Sequence, residues 1–291
     1  MIVEAFNINK SFNDKKVLND VSFSLKKGEI TGLVGRNGSG KTTLLKILAG
    51  IYNQDSGKFK IAGNSLNINP RTIEKLAYLP DRFDYFNYDK VSDIPDFYKI
   101  IYPNFDIEFF NREIKKYKMN PKQSVRDFSK GEKNLLGLIT ILSTNAEVLL
   151  VDEILDGMDI INKRYIIEYL LDAKDKDCAV LASSHELSEL SGICDNILYL
   201  SKEGKLSLTG QDEKRNLNKL QVVVLDKLPE NIENKAVILS HIGRVYTILL
   251  DLEEEALMDI LNTAEVVQYD RLDLKIEDYF YLEEGANNEW F

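Results

Sequence analysis

The sequence is short of the residues that build disulfides and soft metal sites. It contains two cysteines, Cys178 and Cys194, and two histidines, with no CxxC spacing and no histidine near either cysteine at a ligand spacing. Disulfide scaffolds and zinc sites need more of these residues at closer intervals, so both are excluded. The composition predicts a protein with reduced thiols, working in a cytosolic compartment.

Long apolar runs and an excess of basic residues are also missing. No window approaches about 18 uninterrupted apolar residues, and the N-terminus MIVEAFNINKSF lacks the basic and apolar regions of a signal peptide. We therefore expect that the chain neither enters nor spans a membrane by itself. The net charge of −10 argues against nucleic acid as a partner, because such binding needs clustered Lys and Arg.

The chain does contain enough apolar residues to bury a core. Hydrophobic residues make up 44% of its 291 positions and charged residues 29%, as in ordinary globular proteins. Because single cores stop growing near ~250 to 300 residues, we expect two domains. The first covers residues 1–212, and a small α+β unit covers residues 213–291.

A glycine-rich loop, GRNGSGKTT, stands between the apolar run EITGLV and the helical pattern LLKILAG. This strand–loop–helix context is the one that the phosphate-loop motif G-x-x-x-x-G-K-[ST] requires. The glycines let backbone amides curl toward a phosphate, Lys41 reaches the terminal phosphates, and Thr42 offers a hydroxyl to Mg²⁺. The predicted ligand is a nucleoside triphosphate, held by Gly35, Asn37, Gly38, Ser39, Gly40, Lys41, Thr42 and Thr43.

Two further apolar runs predict buried parallel strands that carry polar residues to one edge of a sheet. EVLLVDE ends in Asp152 and Glu153, and CAVLASS runs into His185. Asp152 would hold Mg²⁺, and Glu153, facing the other way along the strand, would polarise the water that attacks the γ-phosphate. His185 would contact that phosphate and orient the water. The alternatives are a capping or solvated acid for Glu153 and a helix cap for His185.

A phosphate loop alone does not separate GTPases, kinases, helicases and transporter motors. The segment FSKGEKN, residues 128–134, makes the distinction. Ser129 is placed to cap the helix LLGLITIL, with Glu132 three residues later, as in a capping box. An ordinary capped helix is one interpretation. Together with the phosphate loop and the two strand ends, however, the segment resembles the LSGGQ signature of ABC (ATP-binding cassette) transporter ATPases, over about residues 1–210.

The resemblance implies a fold and an assembly. The fold class is α/β: a P-loop NTPase ABC cassette with a RecA-like core sheet, an antiparallel β subdomain, a helical signature subdomain at about residues 82–135, and a small C-terminal α+β extension. Ser129 and Gly131 would hold the γ-phosphate bound by an opposite subunit, so that a homodimer or a paired cassette forms on ATP. Asp159 matches the aspartate that links the two sites. Phe12 matches the aromatic that stacks on adenine, or is a core-edge residue.

The sequence also departs from the family pattern. Where the family has a glutamine after the strand KLAYLP, this chain has Asp81, which can accept a hydrogen bond from a Mg²⁺-bound water but cannot donate an amide hydrogen. Asp81 is thus a candidate for the Mg²⁺ site with Thr42 and Asp152, or an inert replacement. The departures in and after the signature are Phe128, Lys130, Glu132, Ile154 and Asp156.

The family resemblance implies an ATPase that uses ATP and Mg²⁺ and drives a separate integral membrane permease from the inner face of the cell membrane. The aromatic-rich segment before the signature would supply a small core and, as one option, a groove for that permease. The phrase IIYPNFD followed by SKGEK is most similar to ABC-2 type exporters of the peptide-antibiotic branch. Two other functions stay open: a soluble ABC ATPase acting on ribosomes or DNA, and a regulatory cassette with weak turnover.

The pattern changes after Gly210. The polar stretch QDEKRNLNK indicates a linker, and LQVVVLD, KAVILSH and RVYTILLDL predict three strands. EEEALMDILNTA predicts a helix, EVVQYDRLDL a further strand, and IEDYFYLEEG a closing helix. Dimer support, regulation and packing onto the cassette are all compatible with this extension.

Overall fold

The computed structural model describes residues 1–65, 69–209 and 216–274, together with Asp278 and Tyr281. The chain forms two compact units, Met1–Leu208 and Thr209–Phe291. Up to residue 209 the strands are β1 (Val3–Phe12), β2 (Lys15–Leu25), β3 (Ile30–Val34), β4 (Ser56–Ile61), β5 (Leu76–Leu79), β6 (Val148–Val151), β7 (Ala179–Ser184), β8 (Asn196–Leu200) and β9 (Leu206–Thr209).

The helices of the first unit are α1 (Lys41–Leu48), α2 (Ile94–Ile101), α3 (Ile107–Lys116), α4 (Lys130–Leu142), α5 (Ile160–Asp175) and α6 (Leu187–Leu190). Short 3₁₀ turns lie at Pro70–Lys75, Val91–Asp93 and Val125–Asp127. Across the described ranges of the chain, no helix has both the length and the apolar character needed to cross a bilayer.

Six strands form one sheet in the order β5-β6-β7-β3-β8-β9. The neighbours from β5 through β8 all pair in parallel. Every residue of β3, β6 and β7 is buried, as expected of strands that are covered on both faces. Because these strands are parallel, their carboxyl ends lie at the same edge of the sheet, and the predicted strand-end motifs meet there.

A second sheet, in the order β2-β1-β4, is antiparallel. Its apolar residues Ile8, Val21 and Ile61 share one core with Leu33 of β3 and Leu45 of α1. Fully burying a side chain of this size contributes about 1.5–3 kcal/mol. One continuous core therefore joins the antiparallel sheet to the strand and helix that flank the glycine-rich loop.

Helices α2 and α3 and the loops around them have a small core of aromatic rings. Phe83, Phe86, Tyr98, Phe105 and Phe110 form a chain in which successive ring centroids lie 5.6 to 6.1 Å apart. Aromatic rings at such distances gain energy beyond the area they bury. Part of the aromatic-rich segment is thus core, as the sequence predicts.

The C-terminal unit has its own sheet and core. Its elements are β10 (Leu217–Val224), α7 (Glu230–Glu233), β11 (Val237–Ile242), β12 (Val245–Asp251), α8 (Glu254–Leu261) and β13 (Val266–Leu272). The strands are antiparallel in the order β11-β12-β10-β13. Helix α8 packs on one face through Leu257 and Ile260, against Leu220, Val222 and Leu250. The four predicted strands and helix α8 are confirmed.

Three details of this unit differ from the sequence prediction or fall outside it. Residues 217–219 belong to strand β10 and not to a linker, because Leu217 and Lys219 pair with β12. The one-turn helix α7 was not predicted, since its four residues are too few to show a helical period. The closing helix predicted over residues 276–285 and the linker at 211–215 lie outside the described residues, apart from Asp278 and Tyr281.

Replacing Leu250 by Ala should destabilise the C-terminal unit by about 2–5 kcal/mol, because it removes a fully buried side chain from that core. Ile242→Ala is the matched control: Ile242 is 84% exposed, so its truncation should cost less than about 0.5 kcal/mol. Hydrogen exchange of the β10 and β12 amides in the full chain measures both changes. Equal losses of protection would contradict the placement of this core.

Candidate functional site

The loop between β3 and α1 turns as tightly as the phosphate-loop motif requires. Gly40 has a φ of +110°, a region open to glycine, and a Cβ at Gly35 would clash with the backbone oxygen of Leu200. Ser39 Oγ is buried and has no hydrogen-bond partner within the described part of the chain, which suits a loop shaped for a polar ligand. Asn37 and Gly38 are exposed at the loop tip, and Thr42 and Thr43 are half-buried in the first turn of α1.

Lys41 lies inside this loop, with its side chain only 3% exposed. Its Nζ donates to Gly35 O at 2.6 Å and lies 3.1 Å from Glu153 Oε1. A buried ammonium is costly unless it is paired, and Glu153 is its anionic partner. A phosphate entering the loop would meet the same ammonium and would take the place of that carboxylate.

Glu153 is held in a strained backbone conformation. Strand β6 ends at Val151, and Glu153 lies beyond it with a φ of +43°. The sequence pattern predicts that strand alternation orients Glu153, but Glu153 lies outside the strand and a left-handed turn orients it. A residue in this conformation costs about 1–3 kcal/mol. Ser183 of β7 stabilises the turn, because Glu153 N donates to Ser183 Oγ at 3.0 Å and to Ser183 O at 3.2 Å. Glu153 is an ion-paired acid and not a freely solvated one.

Asp152 is fully buried at the end of β6. Its Oδ1 accepts a hydrogen bond from Ser183 Oγ at 2.6 Å, and its Oδ2 accepts one from Tyr78 OH at 3.3 Å. The hydroxyl of Ser183 thus bonds both acids at this strand end, donating to Asp152 and accepting from the amide of Glu153. The carboxylate of Asp152 is fixed from two neighbouring strands.

The surroundings of Asp152 suit a divalent cation. Burial raises the pKa of Asp152, hydrogen bonds from Ser183 and Thr42 act in the opposite direction, and the charges of Glu153 and Asp81 raise this pKa further. A cation would relieve that crowding. Among the residues that the structure describes, no three His, Cys, Asp or Glu side chains are placed to hold a metal unaided. Mg²⁺ commonly takes one or two carboxylates and completes its shell with water and phosphates.

His185 follows β7 at the same edge of the sheet. Its Nδ1 lies 3.8 Å from Glu153 Oε2 and its Nε2 lies 4.0 Å from Asp156 Oδ1, which is near but beyond hydrogen-bond reach. The helix-cap interpretation of His185 is wrong, because Glu186 occupies the N-cap position of α6. That helix, Leu187–Leu190, is a single turn and shorter than the one predicted from ELSELSGIC.

The signature segment starts helix α4 with the predicted capping box. Ser129 Oγ accepts from Glu132 N at 3.3 Å, and Glu132 Oε2 accepts from Ser129 N at 2.8 Å. A Cβ at Gly131 would lie 3.1 Å from Asn162 Nδ2, so α4 closely approaches the start of α5. Asp159 caps α5 by accepting from Asn162 N at 3.0 Å. Ser129, Gly131 and Asp159 therefore form a second group, where the N-terminus of α4 meets the N-terminus of α5.

Phe12 is the last residue of β1. Its ring is 43% exposed, so it is not a core residue. Tyr52 packs edge-on against it with ring centroids 5.7 Å apart, and Lys10 Nζ lies 5.3 Å from its centroid. An exposed ring that is supported from one side can stack on a base.

The structure thus gathers Lys41, Asp152, Glu153 and His185 at one edge of the sheet, with Asp81 close enough for its charge to raise the pKa of Asp152. Sequence reasoning missed the roles of Ser183 and Tyr78 in holding Asp152. The hydroxyls at the end of CAVLASS were the available signal, since polar residues closing a buried parallel strand lie at the site edge. An ion pair between Lys130 and Asp156 was also missed.

Comparison with known proteins decides the family. The sequence model described as "ABC transporter" matches residues 18–156. The uncharacterized ABC transporter ATP-binding protein MJ1023 of Methanocaldococcus jannaschii is 31% identical over 219 residues, which cover 72% of this chain and 78% of MJ1023. The chain belongs to the ABC transporter ATP-binding family. The ABC transporter ATP-binding protein YtrB of Bacillus subtilis is 27% identical over 292 residues, 99% of this chain and 100% of YtrB.

A solved structure of an ATP-binding subunit of an ABC transporter has the same fold. It matches with a TM-score of 0.66 at 22% identity, covering 73% of this chain and 91% of that chain. The cassette fold and the ATPase class predicted from the sequence are confirmed. Cassettes of this family bind ATP or ADP, and they commonly dimerise and pair with membrane permease subunits.

Replacing Ser183 by Ala should weaken MgATP binding about tenfold, because Asp152 loses its shortest hydrogen bond and the Glu153 amide loses an acceptor. ATP binding in the presence of EDTA should be unchanged. Ser184→Ala is the matched control, since the Ser184 hydroxyl bonds Glu189 at 2.7 Å and not Asp152. Calorimetry with and without Mg²⁺ makes the comparison. An equal loss under both conditions would show damage to the fold and not to the metal side of the site.

Proposed function

We propose that this chain is the ATP-hydrolysing subunit of an ABC-2 type exporter and powers a separate membrane permease. The observation that carries the proposal is the pair of Lys41 and Glu153, in which a buried phosphate-loop ammonium lies 3.1 Å from a candidate base. His185 lies 3.8 Å from the same carboxylate. Phosphoryl transfer to water requires a cation that binds the phosphate, a base and a group that orients the water. The exporter branch is supported by the similarity of IIYPNFD and SKGEK to ABC-2 subunits.

In this proposal, ATP binding is an exchange of partners at Lys41. The ammonium leaves Glu153 and takes oxygens of the terminal phosphates, while the amides of residues 35–43 surround the phosphate chain. Ser39 Oγ, which has no partner among the described residues, lies in this loop and can donate to a phosphate. Phe12 offers its exposed ring to the adenine. The exchange leaves the Glu153 carboxylate free to act as a base.

Hydrolysis then uses the freed Glu153. Its carboxylate takes a proton from the attacking water, and His185 orients that water toward the γ-phosphate. Lys41 stabilises the negative charge on the transferring phosphoryl group. The proton ends on Glu153, and the products are ADP and inorganic phosphate.

Thr42 and Asp152 are the residues that would hold Mg²⁺, with Asp81 accepting a hydrogen bond from a metal-bound water. When bound, the ion would offset the charge of the phosphates. This chain's own contribution is rigidity: Ser183 and Tyr78 hold the Asp152 carboxylate in one orientation. The shorter side chain of Asp81 replaces the amide donor of the family with an acceptor.

Pairing of two cassettes would complete each site. The start of α4 carries Ser129, Gly131 and the free amides of a helix N-terminus, which bind anions readily. In a homodimer or a paired cassette, this surface would hold the γ-phosphate of the ATP on the opposite subunit. Asp159, in the same group of residues, would lie at that interface. ATP would therefore clamp the two chains, and hydrolysis would release them.

The permease would dock on the aromatic-rich segment, at the inner face of the cell membrane. Aromatic and aliphatic side chains that the small core leaves exposed are found there, and Tyr88 is 90% exposed. Aromatic residues outside a core are typical of protein interfaces. The exposed members are Tyr85, Tyr88, Phe97, Ile100 and Ile101.

Glu153→Gln should keep ATP binding and slow hydrolysis by about 10² to 10⁴, because glutamine cannot accept the proton of the water. Affinity should not fall, since the carboxylate that competes for Lys41 is gone. Glu186→Gln is the control, because Glu186 lies 3.9 Å from His185 Nε2 but does not pair with Lys41. Phosphate release and calorimetry report turnover and binding. Unchanged turnover in Glu153→Gln would remove this residue from catalysis.

Lys41→Ala should weaken ATP binding itself by about tenfold or more, because the phosphates lose a charge-assisted donor. Lys26→Ala serves as the control: Lys26 is an exposed lysine that pairs with Glu29 at 3.1 Å. Thermal melting checks that the Lys41 variant folds with Glu153 left unpaired. An unaltered ATP affinity in calorimetry would contradict the assignment of the loop.

A further inference from the structure

Two departures from the family pattern contact each other in this structure. Lys130 stands in the signature where the family has glycine, and Asp156 stands after β6 where the family has a small polar residue. Lys130 Nζ donates to Asp156 Oδ2 at 3.0 Å, across a sequence separation of 26 residues. The pair joins the first turn of α4 to the segment between β6 and α5. Since each substitution supplies the ionic partner that the other needs, we interpret the two residues as one functional pair.

Lys130 occupies an unfavourable position for a cation. It is the first residue of α4, where the free amides of a helix carry partial positive charge and acids are favoured. Lys133 adds a second cation within the first turns, although that ammonium is held by Asp84 at 2.9 Å. A residue type that is unfavourable for its local structure, such as a cation at a helix N-terminus, is typical of functional positions. Glu132 lies in the same turn, but its carboxylate accepts from the Ser129 amide, so the positive charge that the start of α4 offers to an anion is that of Lys130 and the helix amides.

In the single chain, Asp156 supplies the anion that Lys130 binds. The Lys130 ammonium lowers the pKa of the Asp156 carboxyl, which stays ionised at neutral pH. The two side chains are 46% and 44% exposed, and ion pairs in contact with water are weak. A stronger anion can therefore replace this carboxylate at little cost. Asp156 also lies 4.0 Å from Nε2 of His185, so the same carboxylate faces the hydrolytic site.

We infer that Lys130 binds the γ-phosphate of the ATP held by the opposite subunit, and that Asp156 retains Lys130 until that phosphate arrives. The inference rests on the proposed function, because only a paired cassette brings a second nucleotide to this surface. A terminal phosphate carries more charge than a carboxylate and accepts from lysine in strong charge-assisted bonds. Once Lys130 has moved to the phosphate, the Asp156 carboxylate still has His185 of its own chain as a neighbour. Arrival of the opposite phosphate thereby changes the charge beside the local hydrolytic site.

Two simpler roles for this ion pair predict different results. If the pair only braces α4 against the segment after β6, loss of either residue weakens ATP-dependent pairing. If Asp156 only repels the opposite phosphate, removing its charge strengthens pairing whether or not Lys130 is present. The inferred exchange requires that the effect of Asp156 depend on Lys130.

The test uses the full chain carrying Glu153→Gln, in which slow hydrolysis preserves the MgATP-bound dimer. Sedimentation measures the dimer dissociation constant for Lys130→Met, Asp156→Asn and the double variant. We expect Lys130→Met to weaken pairing about tenfold. Asp156→Asn should strengthen pairing severalfold, because Lys130 is then free, and it should have no effect in the Lys130→Met chain.

Two control variants keep the comparison specific. Lys130→Arg retains the charge and should pair like its parent. Arg164→Met removes an exposed ion pair with Glu168 on α5, at 2.9 Å, and should change nothing. MgADP has no γ-phosphate, so its binding to single subunits should be equal in all variants. Weaker MgADP binding in Lys130→Met would mean that Lys130 acts on its own subunit, and would overturn the inference.

The other outcomes are equally decisive. Weaker pairing in Asp156→Asn would support the brace, and stronger pairing that persists in the double variant would support simple repulsion; either result overturns the inferred exchange. A parent chain that binds MgATP and pairs, with no change in Lys130→Met, would overturn it while leaving the proposed function intact. A parent that binds no MgATP or never pairs would overturn the proposed function itself.

Discussion

A buried ammonium requires an anion, and the phosphate site of this cassette is organised around that requirement at Lys41. In the structure the anion is Glu153, at 3.1 Å from the lysine nitrogen. The acid proposed to activate water is therefore held in an ion pair in this structure. Under the proposed function, one ion pair sets the order of events, because the substrate releases the base that will act on it. In that proposal, the attraction that recognises ATP is also the one that keeps the site inactive without it.

This arrangement depends on holding Glu153 in a backbone conformation that it would not adopt freely. Its φ of +43° is tolerated because the neighbouring strand β7 supplies Ser183 as acceptor for the amide. The same hydroxyl donates to Asp152. Two acids with different proposed tasks, metal binding and proton transfer, are thus positioned by one side chain. Parallel pairing of β6 with β7, with Val151 opposite Ala182, brings the three groups together.

Much of this site could be predicted from the sequence because its determinants are local. The phosphate loop and the capping box of Ser129 and Glu132 each lie within a few consecutive residues. Ser183 and Tyr78 were missed because their partner, Asp152, lies 31 and 74 positions away along the chain. The pair of Lys130 and Asp156 also needs the fold, since nothing local indicates that the two substitutions meet. The orientation of Glu153 was predicted from strand alternation, but a turn after the strand produces it.

The central position of β3 has a mechanical consequence. This strand is hydrogen-bonded on both sides, to β7 and β8, and all of its residues are buried. The loop that follows β3 is therefore anchored to a strand that is paired on both sides. We expect a conformational change driven by the nucleotide to occur in parts of the chain that are not paired in the sheet, such as the short helices with exposed aromatic rings. Under the proposed function, those helices would transmit the movement to the permease while the central strand keeps its place in the sheet.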